Sequence, residues 1–469
     1  MDISLQVVVI GGGPGGYAAA FMAADLGLTV ALINPDVNPG GVCLYRGCIP
    51  SKALLHAARV IHEAKAAEAF GISFDGLKVD QKKIRKWKEG VVSQMTAGLG
   101  QLTKRKKIQY IQGRALFQDN RRLKVKEPEG KERQITFEYA IIATGSQPIR
   151  PKSLDIDSVH IWNSTTALEL KTIPKRLLVI GGGYIGLELG TVYAALGSLV
   201  EVVEMTAGLL PGVDRDLVRY LRQSIADKFA AVHLNTTVTQ LLVQKDGIQV
   251  TMEGLKTDDK NRLFDKVLVA VGRQPNSSNL GLENTDIQLT DRGFIKVDPQ
   301  LRTAESHIFA IGDVVGEPML AHKATHEGRI AAEVIAQHEV SFKPACIPAV
   351  VFTDPEIAWV GLTEIEAKKR DLKIKIIRFP WAASGRAATM ARKDGQTKLL
   401  VDPKTERILG MGIVGPNAGE MIAEGALAIE MGANVTDVSL TVHPHPTLSE
   451  TIMEAAEVFL GTATHYHRT

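Results

Sequence analysis

Two glycine-rich turns of the same form, beginning at Gly11 and at Gly181, constrain this chain more than any other feature in it. The apolar run LQVVVI, residues 5–10, breaks into Gly11-x-Gly13-x-x-Gly16 and continues through the Ala-rich YAAAFMAADLG to a second apolar run, TVALIN. RLLVI breaks in the same way into Gly181-x-Gly183-x-x-Gly186, and a helical stretch again leads to an apolar segment, SLVEVVE. Strand, tight turn, helix and strand is the order expected of both. The glycines allow the turn, a close approach of backbone to a pyrophosphate, and tight packing of helix on strand. The helix N-terminus offers unpaired N–H groups to the phosphates. One such motif is a weak signal, but its repetition is a strong one.

The repeat runs further. Each copy returns in a strand with a matching end, IIATGSQP to Pro148 and LVAVGRQP to Pro275. Gly11 and Gly145 are 134 positions apart, Gly181 and Gly272 only 91, so the first copy carries an insertion. Its place is the cysteine segment and the charged helical stretch to about residue 107. Counting 23 positions from the first glycine reaches the end of the second strand in each copy, at Glu204 and at Asn34. A carboxylate there holds a ribose hydroxyl and repels the 2′-phosphate of NADP, so the second site reads as built for NAD. Asn34 can accept a hydrogen bond but carries no charge. The chain is therefore expected to be α/β, with two Rossmann-like dinucleotide-binding domains.

At 469 residues and 45% hydrophobic content there is room for three or four domains. A net charge of +3 is too mild to imply nucleic acid. No apolar run approaches the roughly 18 residues that span a bilayer, and the N-terminus enters LQVVVIGGG without a basic leader, so a soluble cytoplasmic protein is expected. The basic runs KKIRKWK, residues 82–88, and TKRKK, residues 103–107, read as solvated helix faces in preference to docking sites for an acidic partner.

The chain has 3 cysteines, and two of them, Cys43 and Cys48, lie close together in GGVCLYRGCIPSK. So few do not make a secreted disulfide framework, which favours a catalytic or metal-binding pair. Residues five apart in a regular helix rise about 7.5 Å along the axis, beyond the usual Cα separation of a disulfide. The two could bond only where the helix is distorted, and Gly47 supplies some of the freedom. If the segment begins a helix, its dipole also favours a thiolate. Two unpaired core cysteines, or half a metal site, are the alternatives. No further Cys or His of suitable spacing lies nearby, and no metal is expected. Cys346 reads as a small buried hydrophobe.

Two dinucleotide turns with Cys-x4-Cys between the first and its returning strand resemble the FAD-dependent pyridine nucleotide–disulfide oxidoreductases. The resemblance covers essentially the whole chain: Gly11–Gly16, Cys43–Lys52, ATG at 143–145, GGGYIGLE at 181–188, VGRQPN at 271–276, IFAIGDV at 308–314, LAHKATHEG at 320–328 and HPHPTLSE at 443–450. Within that family, GGVCLYRGCIPSKALLH is similar to the members that oxidise dihydrolipoyl groups. The resemblance implies FAD at Gly11, Gly13, Gly16, Asn34, Lys52, Gly113, Thr144, Gly145, Asp313 and the backbone near Ala321. It implies NAD at Gly181, Gly183, Tyr184, Gly186, Glu188, Glu204 and Gly272. Family members commonly carry Glu where Asn34 stands and LNVG where this chain has LYRG, with Tyr45 and Arg46.

The same resemblance implies a redox disulfide in which Cys43 is attacked by the thiol substrate and Cys48 faces the flavin. His445 would be the base and Glu450 its carboxylate partner, both supplied by the other subunit of a homodimer. Tyr184 would gate the nicotinamide, and Glu188 would pair with Lys52. Thr447-x-x-Glu450 is also a capping-box pattern, so Glu450 would divide its oxygens between cap and ring. The implied domains are FAD-binding at 1–149, NAD-binding at 150–275, the second part of the FAD domain at 276–347, and an α+β dimerisation domain at 348–469. The implied substrate is a dihydrolipoyl group on a separate carrier domain, in a 2-oxo acid dehydrogenase complex or a glycine-cleavage system. A related reductase of glutathione or another thiol, and a non-catalytic flavoprotein assembly subunit, are the competing readings. Glu204 speaks against the first, and Cys43, Cys48, His445 and Glu450 together speak against the second.

Overall fold

Each glycine turn sits at the end of a parallel strand in its own sheet. The computed structural model describes residues 3–254 and 261–467. Strand β1 (Ile3–Ile10) pairs in parallel with β2 (Val30–Asn34) on one side and with Glu132–Ile142 on the other. Gln109–Gln112 extends the sheet beyond β2, and Ile308–Ala310 pairs with the far half of Glu132–Ile142, completing a 7-stranded sheet with two antiparallel strands at its edge. Val7, Val8 and Val9 are all buried, as a strand covered on both faces by helices requires. Helix α1 (Pro14–Asp25) joins β1 to β2. The expected insertion follows β2 as three helices: α2 (Gly41–Arg46), α3 (Cys48–Ala66) and α4 (Gln81–Arg105).

The second copy is a 5-stranded parallel sheet built on Arg176–Ile180, with helix Tyr184–Ala195 after its glycine turn. A 3-stranded antiparallel sheet enters before the return strand Lys266–Val269. The last region is a 5-stranded antiparallel sheet carrying helices Ala418–Glu430 and Glu450–Leu460. Among the described residues no helix is long and apolar enough to cross a membrane.

Three joints lock these parts together. Strands Ser146–Pro148 and Arg273–Pro275, equivalent segments of the two copies, pair antiparallel. Lys398 lies in a strand whose six residues are all buried, yet its ammonium bonds Asp214, Asp216 and Glu364 at 2.6, 2.8 and 2.9 Å. Those three carboxylates are the only cluster of possible metal ligands among the described residues, and the Lys398 ammonium bonds all of them. Asp354 receives His62 from α3, Lys228 from the second domain and Arg392 from the last.

The basic runs need a correction. Arg85 pairs with Glu89 on the surface, but Lys88 is buried and donates to the Leu168 carbonyl at 2.8 Å. A cation there satisfies an end carbonyl of the short helix Ser164–Leu168, so this residue belongs to a contact between elements and not to a solvated face.

Candidate active site

The backbone at the two glycine turns explains why each glycine stands where it does. A Cβ on Gly11, whose φ is +110°, would lie 2.3 Å from the Ala143 carbonyl oxygen, and one on Gly16 would lie 1.8 Å from that of Gly11. The second copy repeats both contacts, Gly181 against Ala270 at 2.4 Å and Gly186 against Gly181 at 2.3 Å. At Gly13 and Gly183 a Cβ would meet nothing within 4 Å. These two residues precede helices whose first N–H groups have no side-chain cap, so each turn leaves an open cradle with free donors. That shape fits a pyrophosphate.

At the ends of the second strands, Asn34 and Glu204 make the same contact with different charge. Asn34 Oδ1 accepts from the Gly12 N–H at 3.0 Å, and Glu204 Oε2 accepts from the Gly182 N–H at 2.7 Å. The other Glu204 oxygen accepts from the Thr206 N–H at 2.7 Å, and the carboxylate still has lone pairs for a ligand hydroxyl. Gly113 lies beside Asn34, its N–H donating to the Asn34 carbonyl at 3.0 Å. Thr144 Oγ1 donates to the Asn276 carbonyl at 2.8 Å, and the Asn276 N–H donates to the Gly145 carbonyl at 2.9 Å. Asp313 occupies the turn Gly312–Val314, and Ala321 opens helix Ala321–Ile335, whose N-terminus also lacks a side-chain cap.

The cysteine pair sits at a broken helix. Gly47 ends α2 and precedes α3 with φ −143° and ψ −113°, neither helical nor extended. A Cβ there would lie 2.9 Å from the Val42 carbonyl oxygen, so the break needs glycine. Cys43 and Cys48 are held as free thiols that share a hydrogen bond. That bond, together with Lys52, lowers the Cys48 thiol to about 7, while the shared bond and burial push Cys43 up. Cys48 also begins a helix of 19 residues, whose positive end favours a thiolate.

Lys52, one turn on, bonds Glu188 at 2.8 Å, as the pairing expectation had it. The same carboxylate accepts from Ser51 Oγ at 3.1 Å and from the Phe352 N–H at 3.0 Å, and the Lys52 ammonium stands 4.4 Å from the Phe352 ring centre. Burial pushes the Tyr184 phenol up, and it feels the charges of Arg273, Asp313, Glu188 and Cys48. Tyr184 is the first residue of the helix that follows the second glycine turn.

His445 Nδ1 bonds Glu450 Oε1 at 2.8 Å, while Glu450 Oε2 accepts from the Thr447 N–H at 2.7 Å. The carboxylate is thus divided between ring and cap. With Nδ1–H given to Glu450, Nε2 carries the lone pair that can take a proton. The His445 side chain is 71% exposed. Among the described residues no hydrogen bond or ion pair joins it to Cys43 or Cys48 of its own chain. His443, by contrast, uses both ring nitrogens, on Thr441 and Glu424.

Tyr45 donates to the Asn38 carbonyl at 3.1 Å, and Arg46 grips both oxygens of Asp36 at 3.0 and 2.8 Å. Both side chains of the LYRG departure are tied to the loop before α2. Cys346 is half-buried against the core of the last domain.

Several members of the site escape a reading of motifs. Phe352 and Ser51 complete the Glu188 cluster, and Ser146 and Arg273 bond beside Asp313. Nothing in the local sequence marks Phe352. Ser146 and Arg273 had a signal: each immediately follows the glycine of a matching turn, TGSQP and VGRQP.

Two open nucleotide cradles and a cysteine pair at a helix break are the parts of a flavin- and nicotinamide-dependent disulfide oxidoreductase, and the chain belongs to the pyridine nucleotide-disulphide oxidoreductase family, whose model matches residues 5–328. The dimerisation domain of the same family matches residues 347–456. Among its relatives, the dihydrolipoyl dehydrogenase of Vibrio cholerae is 50% identical over 463 residues, 99% of this chain and 97% of that one. The dihydrolipoyl dehydrogenase of Geobacillus stearothermophilus is 44% identical over 463 residues, covering 99% and 98%. In three dimensions the chain resembles LpdA from Mycobacterium tuberculosis, with a TM-score of 0.89, 28% identity and coverage of 97% and 99%. It also resembles the HOCl-induced flavoprotein disulfide reductase RclA from Escherichia coli, solved as a Cu(II) complex, with a TM-score of 0.86, 30% identity and the same coverage.

Proposed function

We propose that this chain oxidises a dihydrolipoyl group, carried on a separate domain, to the lipoyl disulfide, with FAD as bound cofactor and NAD as hydride acceptor. The observation that carries the reading is the Cys43–Cys48 pair at the Gly47 break, with a lowered Cys48 thiol next to Lys52, in a chain half identical to dihydrolipoyl dehydrogenases over its full length.

Bound FAD supplies the two-electron step between the dithiol and NAD. The chain's own residues do the rest. The step starts from the oxidised protein, in which Cys43 and Cys48 are joined as a disulfide: a substrate thiol gives its proton to His445 Nε2 and attacks Cys43 Sγ, breaking the Cys43–Cys48 bond and leaving Cys48 as thiolate. The second substrate thiol then displaces Cys43, so the substrate leaves as a disulfide and the enzyme keeps the electron pair as a dithiol. Lys52 holds positive charge beside Cys48, and Glu188 with Ser51 and the Phe352 N–H fixes that ammonium in place. Glu204 selects NAD over NADP at the second cradle.

His445 is supplied by a second copy in this proposal. The dimerisation-domain match and the exposed Leu427, Met431, Leu440 and Val442 near His445 in the sequence support the homodimer. The division at 149/150, 275/276 and 347/348 is likewise proposed, and the separate sheets support it. A carrier domain of a 2-oxo acid dehydrogenase or glycine-cleavage system is the proposed partner.

The test is an assay of the purified yellow protein with dihydrolipoamide plus NAD, beside glutathione disulfide plus NADPH. Turnover in the first pair only is expected. Turnover in the second pair only would assign the chain to glutathione or a related thiol.

A further inference from the structure

We propose that Arg273 is a positioning residue for Asp313, and that the strand pair carrying it couples the nicotinamide turn at Gly272 to the flavin-side carboxylate. The inference rests on the assignment of FAD and NAD made above.

The hydrogen bonds run in one direction. Arg273 Nε donates to Ser146 Oγ, and Arg273 Nη2 donates to the Ser146 carbonyl oxygen, both at 2.7 Å. Ser146 is buried, and its hydroxyl bonds Asp313 Oδ2. A hydroxyl that accepts from a guanidinium has one proton left to give, and here the carboxylate takes it. Asp313 Oδ2 is thereby occupied and the carboxylate plane is fixed. Oδ1 is left to accept from a hydroxyl of the flavin side chain.

The chain of bonds also crosses between the two copies. Ser146 and Arg273 stand immediately after Gly145 and Gly272, and their strands pair with Gln147 facing Gln274 and Ser146 facing Pro275. The Ile149 N–H donates to the Gly272 carbonyl at 3.0 Å, extending the pairing to the turn itself. A shift of the Gly272 turn therefore pulls on Ser146, and through it on Asp313. Two ligands that each fix one end of such a link favour one another, and reciprocity requires the effect to run both ways.

The experiment uses the full-length holoprotein with Arg273→Met, Arg273→Lys and Ser146→Ala. FAD release is followed by flavin fluorescence after dilution, with and without saturating NAD, beside KM and kcat for NAD. Loss of a charge-assisted bond predicts FAD release faster by about tenfold in Arg273→Met, with KM for NAD raised more than kcat is lowered. In the parent NAD slows FAD release, and in Arg273→Met that protection disappears. Arg273→Lys recovers only part, since an ammonium cannot span both Ser146 atoms in the same fork. Ser146→Ala, a smaller change, speeds FAD release without disturbing the fold and keeps the test open if Arg273→Met unfolds. FAD release and NAD protection at parental values in Arg273→Met, or in Ser146→Ala where the former does not fold, overturn the proposal. A parent protein that purifies without flavin, or whose flavin takes no electrons from dihydrolipoamide, overturns the function assigned above instead.

Discussion

Gly47 sets the two sulfurs unequal. By ending one helix and starting the next at Cys48, it gives that cysteine the helix dipole, Lys52 and the Cys43 hydrogen bond together. A lowered thiol is ionised above its own value and neutral below it, so the reduced protein should show one thiolate forming as pH rises through about 7. Cys43 stays protonated across that range. Ultraviolet thiolate absorbance of the reduced protein checks this, and Cys43→Ala should move the midpoint upward because it removes the hydrogen bond that is the largest lowering influence. Two thiols titrating together at the ordinary value would contradict the assignment. His445→Gln should slow reduction by dihydrolipoamide by roughly 10²–10⁴-fold, the usual worth of a general base, while NADH oxidation by an artificial acceptor continues. Equal loss of both activities with flavin retained would remove His445 from the thiol step. Sequence disclosed these residues because their partners are near neighbours: Cys43 with Cys48, His445 with Glu450. It did not disclose the Arg273–Ser146–Asp313 chain, whose members are 127 and 167 positions apart.

At the scale of elements, the strand Gln396–Val401 hides a charge. All six residues are buried, and Lys398 among them is fully enclosed and neutralised by acids from elsewhere in the chain. Asp214 and Asp216, which precede and open helix Arg215–Ala226, are more than 180 positions away, and no local pattern announces them. Lys398→Met should cost about 3–5 kcal/mol, the penalty for leaving buried carboxylates without their cation, measured as a lowered denaturant midpoint. A shift below about 1 kcal/mol would mean that water replaces the ammonium. Burial raises the Asp216 carboxyl, but Lys398 and Arg378 outweigh it and hold it down to about 2. A depressed carboxyl contributes stability that is complete above its unfolded value near 4 and lost as pH falls through the folded one. Acid denaturation of the parent should steepen across that window, and the variant should lose this component.

The whole molecule is legible as a duplicated plan with an insertion and a third unit, since glycine turns and apolar strands are local patterns. How the units meet is not, because the strand pair, the shared apolar cluster and the polar side chains that join them come from distant parts of the chain. If the base comes from a second copy, Cys48→Ser and His445→Gln chains should complement each other. A heterodimer of the two has one site with both groups intact, so random reassociation should restore about a quarter of the parental activity from two inactive samples. No recovery, with mixed dimers shown to form, would place His445 and the cysteines of one site in one chain. Asp354 then bears on how such a dimer works. A ring nitrogen of His62 and the cations of Arg392 and Lys228 converge on it from separate elements, and against burial, which raises it, they hold its carboxyl far below the usual range. With ion pairs of this kind at Asp354 and at Lys398, turnover is expected to need no large movement of one unit against another. Protein fixed by bifunctional cross-links between the units should still turn over dihydrolipoamide and NAD at nearly the free rate, and cross-linked protein that keeps its flavin spectrum but stops working would show that the frame itself must move.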